Sequence, residues 1–214
     1  MYQPALFRED RLDVMHALIR AHPFGLLVSA GAGGLMANAV PFVLDSEASE
    51  KGTLKAHVAR ANPHWKEFAG DGCDCLIAFQ GPQAYVTPSW YATKRETGKV
   101  VPTWNYTMVQ VRGRCVAHED AAWLRPQVEA LTNEHEASRD DPWKVSDAPD
   151  DFIAMQMRAI VGLEIPIAAI EGKWKVSQNR PEADRRGVHA GFVEQDETSA
   201  AMAALVAAYG KLTS

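Results

Sequence analysis

The run Lys55-Ala56-His57-Val58-Ala59-Arg60-Ala61-Asn62-Pro63 sets cationic and polar side chains at a strand end, directly before a helix start. Alternation puts Lys55 and His57 on one face, opposite Leu54, Ala56 and Val58. Asn62 followed by Pro63 reads as an N-cap with proline at the first helical position. The N–H groups of a helix start are unsatisfied and carry partial positive charge, and the planar fork of an arginine such as Arg60 can hold two oxygens. Together they suit a phosphate monoester. The plainer alternative is that Arg60 caps local carbonyls and His57 is a satisfied surface histidine.

Three more clusters carry chemistry. "YVTPSWY" (Tyr85 to Tyr91) and "VPTWNY" (Val101 to Tyr106) crowd Thr, Pro, Trp and Tyr together. Such rings give large apolar area with a polar tip, which suits a pocket wall, a subunit seam or an ordinary core. The charged, glycine-containing "ATKRETGK" between them reads as a mobile loop. "KWKVSQNRP" gathers Lys175, Gln178, Asn179 and Arg180 just past a strand; these donors are costly to bury unpaired, so a ligand or neighbouring subunit is expected to satisfy them. In "MANAVP", Asn38 and Val40 share a strand face and Pro41 marks an edge or bulge. Peptide groups exposed at such an edge can pair with the imide of a planar heterocycle.

The elements that must position these groups are mostly strands. Phe24–Ala30 and Leu35–Leu44 are joined at Gly31-Ala32-Gly33-Gly34, a hairpin turn and not a phosphate loop, because a strand follows instead of a helix. Thr53–Arg60 is a strand, and a short helix "PHWKEFA" follows Asn62. "CLIAFQG" and "AYVTPSW" are two strand candidates around Gly81-Pro82, and Thr107–His118 is a long strand. Leu124, Val128 and Leu131 recur at helical spacing within Asp120–Ser138. Asp150–Ile160 reads as a second helix, and Val161–Ser177 as a strand pair pivoting on Glu171-Gly172. A short charged helix follows Pro181, and a last Ala-rich helix places Met202, Leu205, Val206 and Tyr209 on one stripe. "DETS" and "SDAPDD" read as turns with helix caps. This order predicts a mainly β, α+β protein: a small barrel with peripheral helices.

Composition narrows the function classes. A chain of 214 residues favours one domain with at most a modest appendage. A net charge of −5 argues against non-specific nucleic-acid binding, and no helix pair has the basic second helix of a helix-turn-helix. No long apolar run suggests a membrane span, and the opening "MYQPALFREDR" has no signal-like core, so the expected location is cytoplasmic. Cys73, Cys75 and Cys115 lack the second ligand pair that structural zinc wants; reduced thiols and no metal are expected.

"HVARANPHW", "GPQAYVTPSWY", "VPTWNY" and "KVSQNRP", with the opening "MYQPALFRED", resemble the PaiB family from Met1 to about Ala208. The resemblance implies an FMN-binding split β-barrel like that of pyridoxamine-phosphate oxidases: residues 1–214 as one domain with a C-terminal helical appendage. It implies a homodimer with two flavin sites at the subunit seam and a role as a negative transcriptional regulator. His57, Arg60 and Asn62 would face the FMN phosphate. Asn38, Ala39 and Val40 would meet the isoalloxazine edge by backbone, and Trp104, Asn105, Tyr106, Gln178 and Arg180 would complete the site. Direct DNA binding finds little support in the residues. The alternatives are an FMN-dependent oxidoreductase acting on a small molecule, without an identifiable catalytic residue, and a haem-binding or interaction module of the same fold.

Overall fold

Period-two patterning dictates where the sheet forms. The computed structural model describes residues 1–31, 34–195 and 197–212, so the hairpin turn at Ala32-Gly33 and Asp196 of "DETS" lie outside the described residues. In chain order the elements are β1 (Arg8–Glu9), α1 (Leu12–Ala21), β2 (Phe24–Gly31), β3 (Gly34–Pro41), β4 (Val43–Asp45) and β5 (Thr53–Ala59). After a 3-10 turn at Pro63–Phe68 come β6 (Cys73–Val86), another 3-10 turn at Pro88–Trp90, α2 (Ala92–Thr97), β7 (Thr103–His118) and α3 (Ala121–Glu136). Then follow α4 (Asp150–Arg158), β8 (Ile160–Lys175), α5 (Glu182–Val193) and α6 (Glu197–Gly210).

The chain groups into two units. One comprises His16–Phe79 and Gln110–Ile170. Its strands run in the order β3-β2-β6-β7-β8-β5-β4, with antiparallel ladders such as Leu27↔Asn38 and Leu54↔Ile165. β3 comes within 8 Å of β5, so the sheet curls back on itself without closing. Leu27, Leu54, Ile77, Phe79, Val111, Leu163 and Ile165 fill the inside, each fully buried and worth about 1.5–3 kcal/mol of transfer free energy. The other unit comprises Met1–Met15, Gln80–Val109 and Glu171–Ser214. There β1 pairs with β8 through Arg8↔Lys173, and Val86, Tyr91, Val176, Val188, Phe192, Met202 and Val206 form a core. The predicted stripe holds: Met202 and Val206 are buried in that core, and Leu205 and Tyr209 pack against it.

Several expectations need correction. "ATKRETGK" is not a loop: α2 occupies it, closed by Gly98 at φ 66°, and Asp184 accepts from Thr93 N at 2.9 Å and Thr93 Oγ1 at 3.0 Å. β6 runs unbroken through Gly81-Pro82, and β8 through Glu171-Gly172, because neighbouring strands keep the ladder going where local turn chemistry suggested a break. The strand expected over Leu35–Leu44 divides at Phe42. Its N–H turns back to Pro23 O at 2.9 Å and its ring packs edge-on to Phe79. The helix after Asn62 is a 3-10 turn, with the predicted cap in place: Asn62 Oδ1 accepts from His64 N at 3.1 Å.

Candidate functional site

Asn38 enters the first unit's polar centre from β3. Its Nδ2 donates to His64 Nδ1 at 2.9 Å, which leaves the ring proton on Nε2, and Nε2 donates to Ser29 Oγ at 2.7 Å. Ser29 in turn donates to the Glu67 carboxylate. Burial pushes the His64 pKa down, so the ring is neutral and its tautomer is set by this chain of donors. Ala39 lies exposed on β3 and Val40 is buried beside it. β3 ends the strand path, so alternate peptide groups along it point away from β2.

The strand end at β5 is already occupied by protein. Arg60 Nε donates to Arg158 O at 2.9 Å, one terminal nitrogen to Ile160 O at 3.3 Å, and the other to Glu119. Its guanidinium also lies 5.9 Å from the Trp65 ring. His57 Nδ1 donates to Gln127 Oε1 at 2.8 Å. Gln127 is 3% exposed, its Nε2 has no partner, and with Lys55, Asp45, Trp123 and Pro126 it lines a cavity of about 490 Å³ under α3. The Lys55–Asp45 ion pair spans 2.8 Å, and the Lys55 ammonium holds the Asp45 carboxyl below its ordinary range.

The second unit holds the other predicted residues. Asn105 is fully buried; its Nδ2 donates to Ser177 Oγ at 2.9 Å, and Ser177 Oγ donates to Asn105 Oδ1 at 3.1 Å. These bonds pin Ser177 at φ 67°, a left-handed backbone costly for a non-glycine residue, and so aim the following Gln178-Asn179-Arg180. Gln178 Oε1 accepts from Val176 N at 2.8 Å, and its Nε2 donates to the carbonyls of Leu6 and Trp174. Arg180 lies over the Tyr91 ring at 4.6 Å, and Tyr106 faces the Lys173 ammonium at 5.3 Å. Trp104 is 51% exposed and meets Tyr85 edge-on at 6.2 Å.

Thus Asn38, Ala39, Val40, His57, Arg60 and Asn62 belong to one unit, and Trp104, Asn105, Tyr106, Gln178 and Arg180 to the other. Sequence reasoning overlooked His64, Ser29 and Glu67, whose convergence needs the fold. It also overlooked Lys173, which the Lys-Trp-Lys alternation could have revealed: period two puts Lys173 and Lys175 on one face.

Residues 1–169 match the family model described as "Putative FMN-binding domain". The chain is similar to an uncharacterized protein of Emericella nidulans, 35% identical over 226 residues, covering 90% of each chain. It is also similar to the protease synthase and sporulation protein PAI 2 of Bacillus subtilis, 29% identical over 189 residues, covering 88% of this chain and 87% of that one. Among solved structures, the FAD and heme binding protein of Mycobacterium smegmatis superposes with a TM-score of 0.56 at 15% identity, over 78% of this chain and 73% of that one. That likeness shows the split-barrel fold.

Proposed function

The chain belongs to the FMN-binding domain family, and from that premise we propose that this flavin-binding, PaiB-type protein is a negative transcriptional regulator acting as a homodimer. In this reading FMN sits at the seam between two copies. The donor set fits both parts of that cofactor. The peptide groups that point away from β2 along Asn38, Ala39 and Val40, at the edge of β3, suit the polar edge of the flavin ring. Trp104, Tyr106, Gln178 and Arg180 from the other copy would form a second wall, with Asn105 holding that wall in place through Ser177. His57, Arg60 and Asn62 would stand at the phosphate, where Arg60 must exchange Glu119 for the ligand.

The apolar outer face of β2 and β3 supports the twofold seam. Phe24 is 67% and Leu35 84% exposed, with Leu26 between them, a patch that a second copy would cover. Bound FMN supplies hydride or electron transfer; the side chains bind and orient it. A regulatory role would run through a protein partner or metabolite turnover. α5 and α6 pack together, but α6 carries no Lys or Arg with which to read DNA. Among the described residues no helix is long and apolar enough to cross a membrane.

The match of residues 1–169 to the FMN-binding family carries the reading. Its test is the visible spectrum of the purified protein with the mass of the released ligand. Flavin bands and the mass of FMN are expected; a colourless protein that takes up no added FMN refutes it. A gel-shift series across salt concentrations then addresses regulation, and no sequence preference at any salt removes direct repression.

One observation favours a second reading, an FMN-dependent oxidoreductase. The solvent-facing Trp104–Tyr85 pair offers a platform for another planar compound. Anaerobic mixing with a nicotinamide donor should bleach the flavin; prolonged persistence of its colour would count against turnover.

A further inference from the structure

Lys173 and Lys175 leave β8 on the same face, on either side of the buried Trp174. Lys173 is 7% exposed; its ammonium donates to Tyr2 O at 3.0 Å and lies 5.3 Å from the rings of both Tyr2 and Tyr106. Lys175 Nζ donates to Thr103 Oγ1 at 2.6 Å and to Trp104 O. Arg180 rests on the Tyr91 ring. Every one of these partners is neutral. Four acidic groups of the same unit are engaged elsewhere: Glu9 by Arg11 and Tyr209, Glu171 by the N-terminal ammonium, Asp184 by Thr93 and Glu182 by Arg186.

Cations withdrawn from water without a counter-charge are costly, and carbonyls and ring faces offset only part of that cost. We propose that Lys175 and Arg180, with Lys173 as a fixed charge behind them, form an anion site for the phosphate or carboxylate of a planar ring compound whose ring lies against Trp104. Partial burial, then the charges of Lys173 and Arg180, push the Lys175 ammonium pKa down, as crowding of like charges requires. An anion there reverses that shift. Arg60 offers a contrast, since its fork already holds a carboxylate and two carbonyls. Lys175 and Arg180 need release no negative partner.

The anion has two possible sources, the phosphate of FMN or the acidic group of a separate ligand; only the first rests on the flavin reading, and it would move that phosphate from His57, Arg60 and Asn62 to Lys175 and Arg180. The experiment pairs FMN and riboflavin titrations of wild type, Lys175→Met and Lys175→Arg with acetic-anhydride labelling of Lys175 in the presence and absence of inorganic phosphate. If the flavin phosphate is the source, Lys175→Met weakens FMN about ten- to a hundredfold, leaves riboflavin unchanged, and Lys175→Arg restores most of the loss. If a separate ligand is the source, both flavins bind Lys175→Met normally while phosphate shields Lys175 in the FMN-loaded wild type. Shielding in a protein that binds neither flavin keeps the anion site and removes the flavin reading. The site is overturned if FMN shows no selective loss and phosphate gives no shielding. Equal losses of both flavins that Lys175→Arg does not repair overturn it as well.

Discussion

At the scale of residues, Glu9 shows how a short strand can be made to matter. Glu9 is buried and accepts from Arg11 N, Nε and Nη2, at 3.0, 2.8 and 2.6 Å, and from the Tyr209 hydroxyl at 2.6 Å. The Arg11 hydrogen bonds, opposed by burial and aided by Tyr209, hold its pKa down at about 2, against 4.5 unperturbed. A depressed carboxylate contributes stability that is fully present above the unfolded pKa and is lost as pH falls from about 4.5 through about 2. Glu9→Gln should therefore cost about 1–3 kcal/mol at pH 7 and progressively less below pH 4. Urea denaturation of both proteins across that range checks it; a gap that does not depend on pH would mean packing alone is responsible. Arg60 teaches the complementary lesson. Its residue type admits both phosphate binding and carbonyl capping, and only the positions of Glu119, Arg158 and Ile160 show which partners it has.

Elements add constraints that single residues do not announce. α5 lies so close to the Pro88–Trp90 turn that a Cβ on Gly187 would meet Trp90 O at 2.0 Å, and backbone cannot yield as a side chain can. Gly187→Ala gains up to about 1 kcal/mol of helix propensity. The forced displacement should outweigh that gain and leave a net loss of about 1–3 kcal/mol. A melting temperature at or above wild type would show that α5 can slide off the turn. The same neighbourhood explains why local sequence predicts a loop at α2. Its six residues are too few to form a stable helix alone, and Asp184, far along the chain, holds its first turn. Gly98 in the left-handed region was the local signal that could have marked its end. Local sequence predicts breaks in β6 and β8 for the reverse reason: glycine and proline raise the odds of a turn, while ladder partners on the neighbouring strands override them.

At the scale of the whole molecule, the exposed apolar face of β2 and β3 is the feature most in need of a cover. If a second copy provides it, Leu35→Asp places a charge in the seam and should convert dimer to monomer, with FMN affinity falling alongside. Light scattering coupled to size exclusion reads the first effect and flavin titration the second. An intact dimer would place the seam elsewhere.

By itself the amino-acid order determined the strand-rich class, the Asn62 cap, the long helix α3, the apolar stripe of α6 and, through its motifs, the flavin family. These depend on local periodicity, capping and short patterns, which neighbours along the chain suffice to create. Tertiary structure alone decided which donors are engaged and which face neutral groups: Arg60 against Glu119, Asn38 against His64, Asn105 against Ser177, and the uncompensated charges on β8. The reason is physical. A side chain's charge and hydrogen-bonding capacity are written in its type, but its partner is set by the distance between segments that lie 26 to 72 positions apart.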